Sequence, residues 1–144
     1  MAAACAAHAA SETIIMNSID ANGIGKKVGT LDLSDTKTGL RVTPRLTDLP
    51  PGDHPAAGMP AGGHYDPADT GKHLGPQGDG HKGDMPVLTV EASGKATKAA
   101  TVPHLTLADA KGRAIVIHAG GDNYSDQPEP LGGGGARIAC GVVK

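Results

Sequence analysis

Phenylalanine and tryptophan are absent from the 144-residue chain, and tyrosine occurs only twice. Any core must therefore be aliphatic, assembled from Val, Ile, Leu and Ala. Long apolar runs are also missing; none approaches the ~18 residues of a membrane-spanning helix. Neither sign of charge dominates. Thirteen Lys and Arg against fifteen Asp and Glu leave a net charge of −2, which excludes the basic surface that nucleic acid requires. Cysteine is scarce, with only Cys5 and Cys140, so a disulfide framework is excluded. Cys140 can pair only with Cys5 or with another chain.

What is abundant is glycine, at 22 residues, with 11 prolines. With short apolar runs between them, these residues point to strands and loops rather than helices. The length fits one domain able to bury a core. The first eleven residues, "MAAACAAHAAS", are set apart as an export-signal remnant or a disordered tail, leaving 12–144 as the folded domain. Ala7-His8-Ala9 has the character of a cleavage region, and "AAAC" ending at Cys5 resembles a lipoprotein box. The expected location is the periplasm or another exported compartment, with Cys5 a candidate lipid anchor.

Strand signals begin at Thr13–Ile19 and are followed by Asn22-Gly23, a strong hairpin signal. In "KVGTLDLSD", Leu31 and Leu33 alternate with polar residues, and in "LRVTPRL" Leu40 and Val42 share one face. Pro44 suits an edge or a bulge. Strands resume at "PVLTVEA", "KATKAATV", "AIVIH" and "RIACGVV", with a Ser93-Gly94 turn. Thr106-x-x-Asp109 is a capping box for one short helix. Many short strands with regular turns predict an all-β sandwich or barrel. Residues 50–86 show no strand pattern, and a loop of that length is too long to be a passive connector.

That loop carries the chemistry. His64, His73 and His81, with Asp84 three residues further on, form a complete tetrahedral set of three nitrogens and one oxygen for zinc. Ligation would offset the entropy of closing so long a loop. The bland reading is a solvated polar loop in which histidine is common; composition alone favours it, and the clustering of four ligating residues between His64 and Asp84 brings the two nearer to balance.

The segments "AGGHYDPADTGKHLGPQGDGHKGDMP" and "VIHAGGDNYSDQPEPLGGGGARIACGVV" closely resemble bacterial copper–zinc superoxide dismutases. The resemblance is strong over 61–143 and weaker over 12–54. It implies a Greek-key β-barrel with long metal-binding loops, zinc and copper as cofactors, and superoxide as the substrate partner, with a homodimer left open. By that resemblance the zinc ligands fall on His73, His81 and Asp84, and the zinc–copper bridge falls on His64. His118 takes a copper-ligand position, and Asp122 that of the carboxylate linking the two sites through their histidines. Arg137 matches the arginine that guides the anion. Cys140 matches the C-terminal half of the family disulfide.

One stretch departs from the family. Its members continue "G-x-H-G-F-H-x-H" and then a loop with the first disulfide cysteine, whereas this chain reads "GDH" and then "PAAGMPAGGH", with the segment between missing. His54 matches the first histidine, a structural residue in the family, but the next two, both copper ligands, have no counterpart. The other disulfide cysteine is also missing. The expectation is an oxidoreductase converting superoxide to oxygen and hydrogen peroxide, with an incomplete copper site that His54 would have to swing round to complete. Loss of one barrel strand is also expected. The competing expectation is an inactive zinc-binding relative used for metal buffering or partner binding, and a third is an internal deletion in an ordinary dismutase.

Overall fold

A computed structural model describes residues 10–59, 66–67, 69–70, 72, 74–75, 78, 80, 82–120 and 135–144, with main chain alone at 55–59. Its strands are β1 (Ser11–Asp20), β2 (Gly23–Thr36), β3 (Gly39–Leu46), β4 (Gly52–Met59), β5 (Asp84–Val90), β6 (Ala100–Val102), β7 (Ala114–His118) and β8 (Arg137–Val142). One short helix, α1 (Leu107–Ala110), lies between β6 and β7.

The strands form one antiparallel sheet in the order β5-β4-β7-β8-β1-β2-β3-β6. The sheet curls until its two end strands meet, giving the expected all-β Greek-key barrel. Between those ends lies an apolar cavity of about 40 Å³ lined by Val42, Met85, Leu88, Val102 and Ile117, among others.

Alternation decides what faces inward. On β1, Ile14 and Met16 are buried while Ile15 between them is 56 % exposed. Leu31 and Leu33 of β2, Leu40 and Leu46 of β3, and Ile115 and Ile117 of β7 complete the same interior. Methionine supplies volume that the aliphatic expectation left out: Met16 is fully buried and Met85 nearly so. Its unbranched, polarisable side chain suits irregular gaps in a core without aromatic rings.

The punctuation follows the local chemistry. Ala21-Asn22 turns β1 into β2. Ser93-Gly94 lies in a turn in which the Gly94 amide donates to Glu91 and Gly94 takes φ +83. The Leu46 amide donates to Ala96 across the outer side of β3. Pro44 has the same parity and lies past the Leu40–Val42 stretch that pairs with β6, so its missing N–H leaves no partner waiting there. The capping box forms as expected: Asp109 N–H donates to Thr106 Oγ1 at 3.2 Å, and Thr106 N–H donates to the Asp109 carboxylate at 3.0 Å.

One expectation is corrected. No barrel strand is lost, because Gly52–Met59 forms β4 and is bonded on both sides, to β5 and to β7. The ladder is made by main-chain groups, which Ala, Gly and Met supply as well as any residue. Pro55 falls where the pairing with β5 shifts register, between His54 and Ala56, so no ladder donor is missing.

Candidate metal centre

His118 ends β7 and is 7 % exposed. Its Nδ1 lies 3.1 Å from the main-chain oxygen of Gly135. A carbonyl can only accept, so Nδ1 carries the proton and Nε2 holds the lone pair available to a metal. Opposite it in the β7–β8 ladder stands Arg137, which is exposed. The barrel thus places a permanent cation beside an oriented imidazole, at the rim of the sheet.

His54, on β4, is 3 % exposed. Its Nδ1 lies 3.0 Å from the His118 carbonyl oxygen and its Nε2 lies 2.7 Å from that of Pro50. Both ring nitrogens are therefore turned onto main chain. The arrangement is that of a strut fixing the end of β7, and it leaves neither nitrogen facing a metal. The expected swing of His54 toward copper does not occur in this fold.

Asp84 is the first residue of β5 and is 2 % exposed. It stands opposite Ala57 on β4. A carboxylate buried so deeply suits a cation as partner, because burial without compensation is costly. The turn before it is tied down by Lys82, whose Nζ lies 3.1 Å from the Asp109 carboxylate on α1. His64, His73, His81 and Asp122 lie outside the described residues, as does Cys5. Among the described residues no three metal-ligating side chains come together.

Cys140 is a free, half-buried thiol opposite Val116. Burial raises its pKa above the ordinary thiol value, against the lowering effect of the Arg137 charge. His104, which matched no ligand, is exposed on the surface.

Two contributors had no sequence signature. The carbonyls of Gly135 and Pro50 orient His118 and His54, and main-chain groups of this kind are invisible to a search for ligating side chains.

The donor set separates the two metals. Three imidazoles and a buried aspartate fit zinc. For copper the family resemblance points to His118 and His64 alone, and a redox copper needs a fuller, restrained nitrogen set. These donors do not fit a four-histidine copper.

A Greek-key barrel with an oriented histidine and an exposed arginine at its rim, and a buried zinc-type carboxylate nearby, defines a class of metal-dependent β-barrel protein. The copper/zinc superoxide dismutase (SODC) family matches residues 27–143. Superoxide dismutase (Cu-Zn) 2 of Salmonella typhimurium is 50 % identical over 161 aligned positions, covering 98 % of this chain and 93 % of its own. The Cu/Zn superoxide dismutase structure from Brucella abortus superposes with a TM-score of 0.91 at 44 % identity, over 94 % of this chain and 100 % of that one. The monomeric copper, zinc superoxide dismutase from Salmonella enterica gives 0.83 at 47 % identity, over 94 % and 100 %. The chain belongs to the copper/zinc superoxide dismutase family. The Salmonella typhimurium alignment is longer than the 144-residue chain, so that relative carries residues with no counterpart here.

Proposed function

We propose that this chain is a superoxide dismutase, converting superoxide to oxygen and hydrogen peroxide at the His118 end of the barrel. The observation that carries this reading is the cross-strand pair of His118 and Arg137. Superoxide is a small anion, and a fixed guanidinium at an exposed rim raises its local concentration and holds it beside the reacting centre. His118 is held in one tautomer by the Gly135 carbonyl, so its orientation does not depend on a bound metal.

Zinc would be held by His64, His73, His81 and Asp84, and its ligation would offset the entropy of ordering the long loop. Asp122 would couple that site to the copper side through hydrogen bonds to the histidines. Copper has two donors, His64 and His118, so its occupancy limits activity.

The reading is tested by superoxide decay in a stopped-flow assay, with zinc and copper supplied and the contribution of free copper subtracted. Protein-dependent dismutation that disappears in His118→Ala supports it. A rate equal to that of free copper, or one unchanged in His118→Ala, overturns it.

We propose in addition that the protein is exported to the periplasm, with Ala7-His8-Ala9 as the cleavage region or Cys5 as a lipid attachment point. Cell fractionation and intact-mass measurement of the mature chain test this. Retention of the full N-terminus in the cytoplasm is the contrary result.

A further inference from the structure

The assigned zinc ligands differ in what supports them. Asp84 begins β5 and is carried by the ladder to β4. His64, His73 and His81 belong to the connection between Met59 and Asp84. Several bonds along that connection stay inside it. Asp69 N–H and Thr70 Oγ1 donate to Asp66, Lys72 N–H to Thr70, and Gly78 N–H to Gly75. Bonds of this kind shape the connection without fixing it to the barrel. Lys82 does fix it. It stands one residue after His81 and two before Asp84, and its Nζ lies 3.1 Å from the Asp109 carboxylate on α1.

The far end of that pair is firmly seated. α1 buries Leu107 and Ala110, and Leu107 N–H donates to the Asp35 carboxylate near the end of β2 at 2.7 Å. Just past the helix, Gly112 N–H donates to the Val143 carbonyl and Val143 N–H to that of Arg113. Asp109 is itself held by the capping box with Thr106. An exposed ion pair gains little, because two mobile side chains must be frozen to make it. Here the carboxylate is already oriented by the cap, and the two side chains are 33 % and 25 % exposed. The Lys26–Asp48 pair has a similar length, 3.2 Å, but its side chains are 68 % and 61 % exposed.

We infer that Lys82 is a positioning residue for zinc: its ion pair with Asp109 ties the connection to α1 beside His81, so that less chain has to be ordered when the metal binds. The inference rests on the zinc reading of His64, His73, His81 and Asp84. Ordering a binding segment beforehand raises affinity by lowering the entropy lost on binding. The coupling is reciprocal, so that bound zinc strengthens the ion pair as the ion pair strengthens zinc. An ordinary surface pair would stabilise the fold and leave zinc binding untouched.

The test uses the full chain and its Lys82→Met, Asp109→Asn and K82M/D109N variants, with Lys26→Met as the control. Asp109→Asn keeps an acceptor oxygen for Thr106 N–H while removing the charge. Each protein is loaded with zinc sulfate, freed of excess metal and placed in excess EDTA. Zinc left on the chain is followed over time by mass spectrometry. Lys82→Met and Asp109→Asn should each release zinc about three- to fivefold faster than the parent, the most that a partly exposed ion pair supplies. The double variant should be no faster than either single one, because both changes remove the same interaction. Lys82→Arg, which keeps the charge, should release zinc at close to the parent rate, and Lys26→Met at the parent rate.

Parent-like release in Lys82→Met and Asp109→Asn overturns the inference, even where the zinc-free variants unfold at lower urea. Effects that multiply in the double variant also overturn it, since the two residues would then act separately. So does equally fast release in Lys26→Met, which would make the effect one of general charge. A parent chain that retains no zinc defeats the zinc reading and the inference together. Zinc that is held, but released at the same rate by parent and variants, defeats the inference alone.

Discussion

The ring of His54 is seated on the main chain of His118, with Nδ1 of the first 3.0 Å from the carbonyl oxygen of the second. Its other nitrogen reaches back four residues to Pro50, 2.7 Å away. This one side chain ties the start of β4 to the end of β7, the end at which the candidate copper ligand stands. A neutral ring donates to only one of these two carbonyls, so truncating it leaves one carbonyl without a donor, at about 1–3 kcal/mol for a buried group left unsatisfied. His54→Ala is expected to lower stability by about 2–3 kcal/mol in urea unfolding. Zinc content should be unchanged. A variant as stable as the parent would show that the strut is unimportant.

Arg137 and His118 face each other across β7 and β8. If the guanidinium draws superoxide in, its removal acts on capture of the anion. Arg137→Ala is expected to reduce the second-order dismutation rate about tenfold, within the range that focusing by local charge supplies. The slope of rate against ionic strength should flatten, since screening then has less attraction to weaken. Arg137→Lys should recover part of the rate, because charge remains while the planar fork is lost. An unchanged salt slope in Arg137→Ala would remove the arginine from the capture step.

The sequence displayed the barrel wherever side chains alternate and turns carry strong signals. Leu31 and Leu33 and the Thr106–Asp109 box are local patterns, and each formed as its residues dictate. β4 was invisible for the same physical reason that it is tolerated. "GDHPAAGM" has no apolar alternation, and its place in the sheet is set by main-chain bonding to two neighbours. The candidate site divided along the same line. His118, Arg137 and Asp84 were recognisable by type and by family resemblance. The carbonyls that orient the imidazoles, and the commitment of His54 to two of them, required three-dimensional structure.

Glycine at 141 is a packing requirement rather than a conformational one. A Cβ there would press on the Ile15 carbonyl and on Met16 Sδ, 2.6 Å away, both on neighbouring β1. The sulfur belongs to a flexible side chain, but the carbonyl is ladder backbone and cannot yield cheaply. Gly141→Ala is therefore expected to cost about 1–3 kcal/mol, the range for overpacking a filled interior. Thermal unfolding should show this as a Tm lower by several degrees, roughly 2–8 °C for a domain of this size. An unaltered Tm would mean that β1 and β8 can separate without loss.

Cys140 offers a chemical readout of the same strand. Burial holds its thiol above the ordinary value while the Arg137 charge partly opposes the shift. The thiolate is the reactive form, so alkylation by iodoacetamide at neutral pH should be slower than for an exposed cysteine. The rate should climb only as pH passes above the ordinary thiol range. Removing the opposing charge in Arg137→Ala should move that rise to still higher pH. Rapid alkylation at pH 7 with no dependence on Arg137 would contradict this account of the thiol.

The Lys82–Asp109 pair gives the loop before β5 a pH dependence whose sign can be worked out. Burial acts to raise the Asp109 pKa. The Lys82 hydrogen bond, two from Thr106 and the Lys82 charge outweigh it, holding the carboxyl below its ordinary 3.8. A carboxyl with a depressed folded-state pKa binds its proton more weakly folded than unfolded. Its contribution is therefore present above the unfolded value and is lost as pH falls through the folded one. Stability from this group should hold from neutral pH down to about 4 and then decline below the ordinary value of 3.8. Both partners are partly exposed, so the contribution is at most about 1 kcal/mol. Lys82→Met should remove part of it at pH 7 and make the decline below pH 4 shallower, as measured by urea unfolding across pH. A decline equally steep in the variant would assign the acid sensitivity to other carboxylates.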